Sequence, residues 1–337
     1  MRFFILILVA LAHILLLLWL THDARVRQPE PEQPTAQETT ETAEKPTPQT
    51  PGGPRLGPDT FQNRQVSEPP LEVARKTGLC NTGILVDWTD KTLLWKKHPD
   101  RVVAIASLTK MMTALLLMEA VQTNAHTLEE PVRVTPAAYN VGGSQVYLDP
   151  RETFTLEELL KCTMIFSAND AAYLVAEYLG GGKVEPFVAR MNKRADALGL
   201  EHTHFHNPHG LPESGSDREN RSTAREMAFL AGHLLRYPAV VKWSSTWLSW
   251  IREDTDKPFQ LANRNRLVQT CPGVIGMKTG YTNEAGYCIA AVADRNDRVM
   301  IAVVTGCPSS KKRNDLVETL LDWGYERQAP PTTANPP

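Results

Sequence analysis

Ser107 and Lys110 stand three residues apart at the head of an apolar run, residues 111–120, built mostly of strong helix formers. In a helix such positions share a face, so the lysine amine can reach the serine hydroxyl. A serine is a weak nucleophile near neutral pH, and an adjacent base that takes its proton makes it useful. The start of a helix adds a positive end and free N–H groups, which favour a developing oxyanion. Alone, this pair also describes many capping serines followed by a solvated lysine. Two further groups lie downstream: Ser167-Ala168-Asn169 begins 60 residues after Ser107, and Lys278-Thr279-Gly280 begins 111 residues after Ser167. A hydroxyl with an amine base, a second hydroxyl with a carboxamide, and a Lys-Thr-Gly run, in this order, suit serine acyl transfer.

Such groups need elements to hold them. Residues 83–88 and 91–95, on either side of Thr89-Asp90, read as a β-hairpin. Residues 156–160 open a helix behind Thr155, an N-cap by type. Ser167 to Asp170 are turn formers that interrupt this helix before 171–179 resume it. Ser167 and Asn169 are therefore expected at a corner between two helices, facing a cleft. Residues 273–280, 286–293 and 299–306 are rich in strand formers, with 294–297 as a turn, and 313–323 form a closing helix. Strands near both ends with helices between them predict an α/β (α+β) body. One sheet gathers both ends, flanked by helices and a mainly helical lobe. Lys278-Thr279-Gly280 then lies on a sheet strand, where glycine lets a substrate backbone approach closely.

The termini differ in character from this body. Residues 3–20 carry no charge and are nearly all Leu, Ile, Val, Phe or Ala. At helical rise they span about 27 Å, close to the apolar thickness of a bilayer. The run is longer than a signal-peptide core and no small-x-small cleavage site follows it. Residues 1–22 are thus expected to be a retained membrane anchor, with a cleaved signal segment as the alternative. Residues 23–70 hold ten prolines among Thr, Glu and Gln and are expected to be a disordered, extended linker. The plan is completed by a catalytic domain at 71–327 and a disordered Pro-rich tail at 328–337. The formal charge of −2 gives no electrostatic case for nucleic acid. Five cysteines without a Cys-x-x-Cys pair exclude a zinc ribbon and read as small buried hydrophobes. His202, His204 and His206 alternate, with His209 nearby, but no carboxylate stands at ligand spacing, and they read as loop packing rather than a metal site.

The three groups resemble those of the D-alanyl-D-alanine carboxypeptidases, the low-molecular-mass penicillin-binding proteins. The likeness extends to Ser167 through Ala172, Phe205 through Leu211, Ser222 through Met227, and Asn263-Arg264-Asn265, and covers residues 78–325. It implies the fold of β-lactamases and penicillin-binding-protein transpeptidases, and a hydrolase acting on peptidoglycan stem peptides outside the cytoplasmic membrane. No cofactor is implied, and β-lactams become covalent inhibitors. By this resemblance Ser107 attacks the carbonyl between two D-alanines, Lys110 is the base, Ser167 passes a proton to the leaving amine, and Asn169 holds Lys110 or the substrate amide. The N–H groups of Ser107 and Tyr281 are the expected oxyanion donors. Lys278 belongs to the catalytic set, its charge suited with Thr279 to the terminal carboxylate, and Thr279, Gly280, Tyr281 and Arg313 bind substrate, the last at the family's position for a carboxylate-binding arginine. Tyr281 departs from the family, so that wall of the cleft differs in shape. The alternatives are a D,D-endopeptidase cutting cross-links, a β-lactamase, or a non-catalytic β-lactam sensor. A β-lactamase would require a water-activating glutamate, and neither Glu213 nor Glu219 lies in a Glu-x-x-x-Asn arrangement.

Overall fold

The computed structural model describes residues 57–61, 68–212 and 218–328. The anchor at 1–22, most of the linker, Glu213 and the tail beyond Gln328 lie outside the described residues. After a 3-10 turn at Pro58–Thr60 come α1 (Leu71–Thr77), β1 (Thr82–Asp87), β2 (Thr92–Lys97) and β3 (Val103–Ala104). A 3-10 turn at Ala106–Thr109 runs into α2 (Lys110–Gln122). Then follow β4 (Pro131–Arg133), α3 (Pro136–Tyr139), β5 (Thr153–Thr155) and α4 (Leu156–Lys161). A π turn at Cys162–Phe166 leads to α5 (Asn169–Leu179), α6 (Val184–Ala197), β6 (Arg221–Ser222), α7 (Ala224–Leu234) and α8 (Pro238–Ser245). The chain continues through β7 (Leu248–Ile251), β8 (Phe259–Ala262), α9 (Leu267–Thr270), β9 (Val274–Thr282), β10 (Gly286–Arg295), β11 (Arg298–Cys307) and α10 (Ser310–Gln328).

The main sheet has the order β2-β1-β11-β10-β9 and is antiparallel throughout. The early hairpin therefore joins the late strands through the β1–β11 pairing, in which Val86 faces Ile301. In β10 and β11 six consecutive residues are buried, because both faces of the sheet are covered. That is why these strands read as continuous apolar runs rather than alternating ones. On one face Leu316, Val317, Leu320 and Leu321 of α10 pack with Leu85, Ile289 and Val304. On the other face the helical lobe packs around α2, which is buried on nearly every side through Met111, Met112, Leu115 and Met118. Helix α4 begins with the capping box that Thr155 foreshadowed: Glu158 N–H donates to Thr155 Oγ1, and Thr155 N–H donates to Glu158 Oε2.

The expected extended spacer fails at residues 57–61. Phe61 is only 3% exposed, belongs to the main core, and meets Trp88 edge-on at 6.1 Å between ring centroids. A large aromatic ring buries enough surface to order a short Pro-rich stretch locally. The tail's first residue, Gln328, likewise still belongs to α10. Among the described residues no helix is long and apolar enough to cross a membrane. All five cysteines are buried and free.

Candidate active site

The turn carrying Ser107 is shaped by unusual backbone. Ala106 has φ 46°, a left-handed conformation that costs free energy for a residue with a Cβ and must be held from outside. It is held by Thr109 Oγ1, which donates to Ala106 O at 2.8 Å, and by Gly210, packed so closely that a Cβ there would lie 1.9 Å from Ala106 O. Across the cleft, Gly280 on β9 lies against the same turn: a Cβ on Gly280 would stand 3.0 Å from the Ser107 backbone nitrogen. Strand and turn thus meet at the Ser107 amide, beside the amide of Tyr281.

Lys110 is fully buried at the first position of α2, with Nζ 2.9 Å from Ser107 Oγ. The amine also donates to Asn169 Oδ1 at 2.7 Å and to His209 O at 2.6 Å. Burial, then the like charge of Lys278, holds its pKa well below the usual lysine range, against an opposing pull from Asp170. A neutral amine with two N–H groups committed to Asn169 and His209 keeps a lone pair for the Ser107 proton.

Ser167 sits in the left-handed region, φ 65°, where the π turn ends and before α5 starts. This is the expected corner, and it aims the hydroxyl at Lys278, whose Nζ donates to Ser167 Oγ at 2.8 Å. Asn169 is occupied at both ends, since its Nδ2 donates to Gly142 O at 2.8 Å while Oδ1 holds Lys110. Of the two expected tasks for Asn169, the structure displays the hold on Lys110. Lys278 is 1% exposed on β9, and its pKa is pushed down to about 7 by burial, then by Arg264 and Arg313.

Ser107, Ser167, Asn169, Thr279, Gly280 and Tyr281 line one cavity of about 770 Å³, and Arg313 lines it too. The two lysines lie beneath its floor. Arg313, 4% exposed, donates to Asn314 Oδ1 at 2.8 Å and to Cys288 O at 3.3 Å, and has no carboxylate partner among the described residues. Burial lowers its pKa to about 10. A buried guanidinium bonded only to neutral acceptors is a seat for an anion. Tyr281 lies on the rim, 52% exposed, with its ring 4.3 Å from that of Tyr287. All the residues singled out from sequence thus gather at one place.

Several contributors were not singled out as site residues, although His209, Asp170 and Arg264 lie within the stretches of family likeness. His209 serves through its backbone carbonyl, which no side-chain pattern reveals. Its imidazole is held neutral, with a pKa pushed down to about 3 by burial and Lys110, and Nδ1 accepts from Leu211 N–H. Asn220 ties the 205–211 loop to the Ser107 turn by donating to Thr109 Oγ1 and to Asn207 O, both at 2.9 Å. Asp170, fully buried, accepts from the N–H groups of Val146, Leu148 and Ala171, and burial raises its pKa. Arg264 stands over the Phe166 ring at 4.1 Å and lines the cavity. The histidine cluster is local packing: His204 and His206 stack edge-on, and His202 bonds Glu226.

A family model described as D-alanyl-D-alanine carboxypeptidase, peptidase S11, matches residues 70–309. DacF of Bacillus subtilis, a D-alanyl-D-alanine carboxypeptidase, is 42% identical over 246 residues, which are 73% of this chain and 62% of DacF. DacC of Escherichia coli, named likewise, is 34% identical over 80% of this chain and 66% of its own length. The chain spans about three fifths of the length of most of these curated relatives. Among solved structures, penicillin-binding protein 6B of Escherichia coli superposes with a TM-score of 0.70 at 28% identity, over 79% of this chain and 81% of that one. Penicillin-binding protein D2 of Listeria monocytogenes, in its ampicillin-bound form, gives 0.65 at 28% identity, over 73% and 97%. The fold is that of the penicillin-binding proteins, as their shared architecture and the antiparallel sheet require.

Proposed function

From the membership of this chain in the D-alanyl-D-alanine carboxypeptidase family, peptidase S11, we propose that it removes the terminal D-alanine from peptidoglycan stem peptides through an acyl-enzyme on Ser107. The observation that carries this reading is the Lys110 amine, fully buried and 2.9 Å from Ser107 Oγ, with its other contacts already satisfied. Lys110 takes the Ser107 proton as Oγ attacks the carbonyl carbon. The oxyanion forms against the amides of Ser107 and Tyr281, each donor worth about 3 kcal/mol if it acts as such donors do. The terminal carboxylate rests between Thr279 Oγ1 and the cations Lys278 and Arg313. The departing amine takes a proton through Ser167, whose hydroxyl lies 2.8 Å from Lys278 Nζ. Water then releases the acyl group by the reverse proton traffic.

β-Lactams acylate the same serine in this reading, which the ampicillin and cefotaxime complexes of the Listeria relative support by analogy. The substrate places the enzyme on the outer face of the cytoplasmic membrane, and the uncharged run at 3–20 supports tethering there. The test is D-alanine release from an acyl-Lys-D-Ala-D-Ala peptide by the purified protein beside Ser107→Ala. Release that vanishes in the variant is expected. A folded protein that releases nothing and takes up no labelled penicillin sinks the proposal.

A further inference from the structure

Tyr147 combines two unfavourable features. It is a bulky residue in the left-handed region, φ 55°, and it is 68% exposed, so the strained backbone gains no burial in return. The loop is nevertheless held from two sides. The buried Asp170 carboxylate accepts from Val146 N–H at 3.1 Å and from Leu148 N–H at 3.2 Å. Arg252 donates to Val146 O and Tyr147 O, both at 3.0 Å, and is itself clamped by two bonds to Glu152. Strain of this kind persists only where the surroundings over-determine it, and it gathers at functional positions. The chemistry at Ser107 makes no use of this ring.

The ring belongs to a series. It meets Phe259 of β8 edge-on at 6.3 Å between centroids, Phe259 meets Phe166 at 5.3 Å, and the Arg264 guanidinium lies over Phe166 at 4.1 Å. Arg264 lines the catalytic cavity, so a strip of rings, half-buried at Phe166 and Phe259 and exposed at Tyr147, leads away from its wall. Edge-on packing fixes the tilt of each ring. Flat, firmly held rings suit pyranose sugars, whose C–H faces are apolar while their hydroxyls stay in water. A stem peptide has about four residues before the bond cut at Ser107 and reaches at most about 14 Å. The glycan that carries it must therefore pass over the surface just outside the cavity. A lipid surface on the same strip would press on the cavity mouth and shut out the polymer.

We infer that Tyr147 and Phe259 form a subsite for the glycan strand of peptidoglycan, which holds the sugar backbone while Ser107 works on the stem. This rests on the carboxypeptidase reading above, because the strip serves a polymer only if the cavity takes its stem peptide. Tyr147 supplies the exposed stacking face, and Phe259, backed by Phe166, sets its tilt. The clamps from Asp170 and Arg252 keep that face in place before the sugar arrives. No bond forms or breaks at this subsite, so its effect belongs in KM.

The probe is one stem pentapeptide in two forms, carried on a tetrasaccharide of alternating N-acetylglucosamine and N-acetylmuramic acid or capped only by an acyl group, offered to the full chain. The sugar-linked form should show a kcat/KM about tenfold higher, chiefly through KM. Glycan strands stripped of their stems should compete with it. Tyr147→Asn should abolish the advantage and leave release from the capped peptide unchanged, since asparagine tolerates the left-handed region and spares the fold. Tyr147→Phe should keep the advantage. Equal kcat/KM on the two forms by the native protein overturns the inference and leaves the carboxypeptidase reading standing. So does a Tyr147→Asn loss that falls equally on both forms, which makes the residue structural. If a second copy or lipid covers the strip, the advantage is absent and Tyr147→Asn alters sedimentation or binding to phosphatidylglycerol vesicles. Failure on both forms, with no uptake of labelled penicillin, overturns the carboxypeptidase reading itself.

Discussion

Two buried lysines each face a serine, and they are set up for opposite work. Lys110 sits at a helix start with Ser107 at 2.9 Å; Lys278 sits on a strand with Ser167 at 2.8 Å. Both are almost without solvent contact, and burial is the leading cause of a lowered pKa in each. Their surroundings separate them. Lys110 is gripped by two neutral acceptors, Asn169 Oδ1 and His209 O, with Asp170 as the nearby anion. Lys278 is flanked by Arg264 and Arg313 and lies beneath a cavity that no acid lines among the described residues. The first environment points a neutral lone pair at a hydroxyl. The second stores positive potential that an arriving carboxylate discharges. Pairs of titratable groups held apart in this way are how one site runs base and electrostatic chemistry together.

The comparison can be tested from its centre outward. Ser107→Ala should remove penicillin acylation altogether, with turnover down by about 10⁴-fold or more in a peptide-release assay. Lys110→Ala should cost about 10³-fold, in the range of a lost general base, and show in the acylation step. Lys278→Gln should cost less, about 10²-fold, and show largely in KM. Equal losses confined to one kinetic constant in both lysine variants would break the distinction drawn here. The next effect is on stability. His209 is neutral when folded, at a pKa of about 3, against about 6.5 when unfolded, so its contribution is complete above about 6.5 and is lost as pH falls toward 3. Unfolding free energies from denaturant curves at pH 7 and pH 4 should differ by roughly 1–3 kcal/mol from this group, and His209→Gln should shrink the gap. The smallest effect sharpens the Lys278 side. Arg264 lowers the Lys278 pKa, so Arg264→Gln should move the alkaline fall of kcat/KM to higher pH by about half a unit. A shift to lower pH would show that Lys278 is not the group that titrates.

Much of this was legible in the chain because it depends on short spacing or residue type. Ser107 and Lys110 needed only a helix, and Thr155 with Glu158 needed only a capping box. The corner at Ser167 followed from turn formers placed between helical runs. What stayed hidden depends on long-range backbone. His209 acts through a carbonyl, and the Ala106 conformation is imposed by Gly210, more than a hundred residues away. Phe61 was obscured by its proline-rich neighbours, although one buried ring was enough to dock the stretch.

Cys288 lies opposite Gly280 in the β9–β10 register, with no solvent exposure, and its thiol donates to Ala285 O at 3.3 Å. Burial pushes its pKa up to about 11, which makes the sulfur inert while the strands stay joined. A thiol-directed reagent can therefore reach it only when the wall behind Lys278-Thr279-Gly280 parts from its neighbour. The native chain thus carries a chemical reporter of breathing in the wall that receives the substrate, and its labelling rate with and without a bound β-lactam measures how far acylation closes that wall.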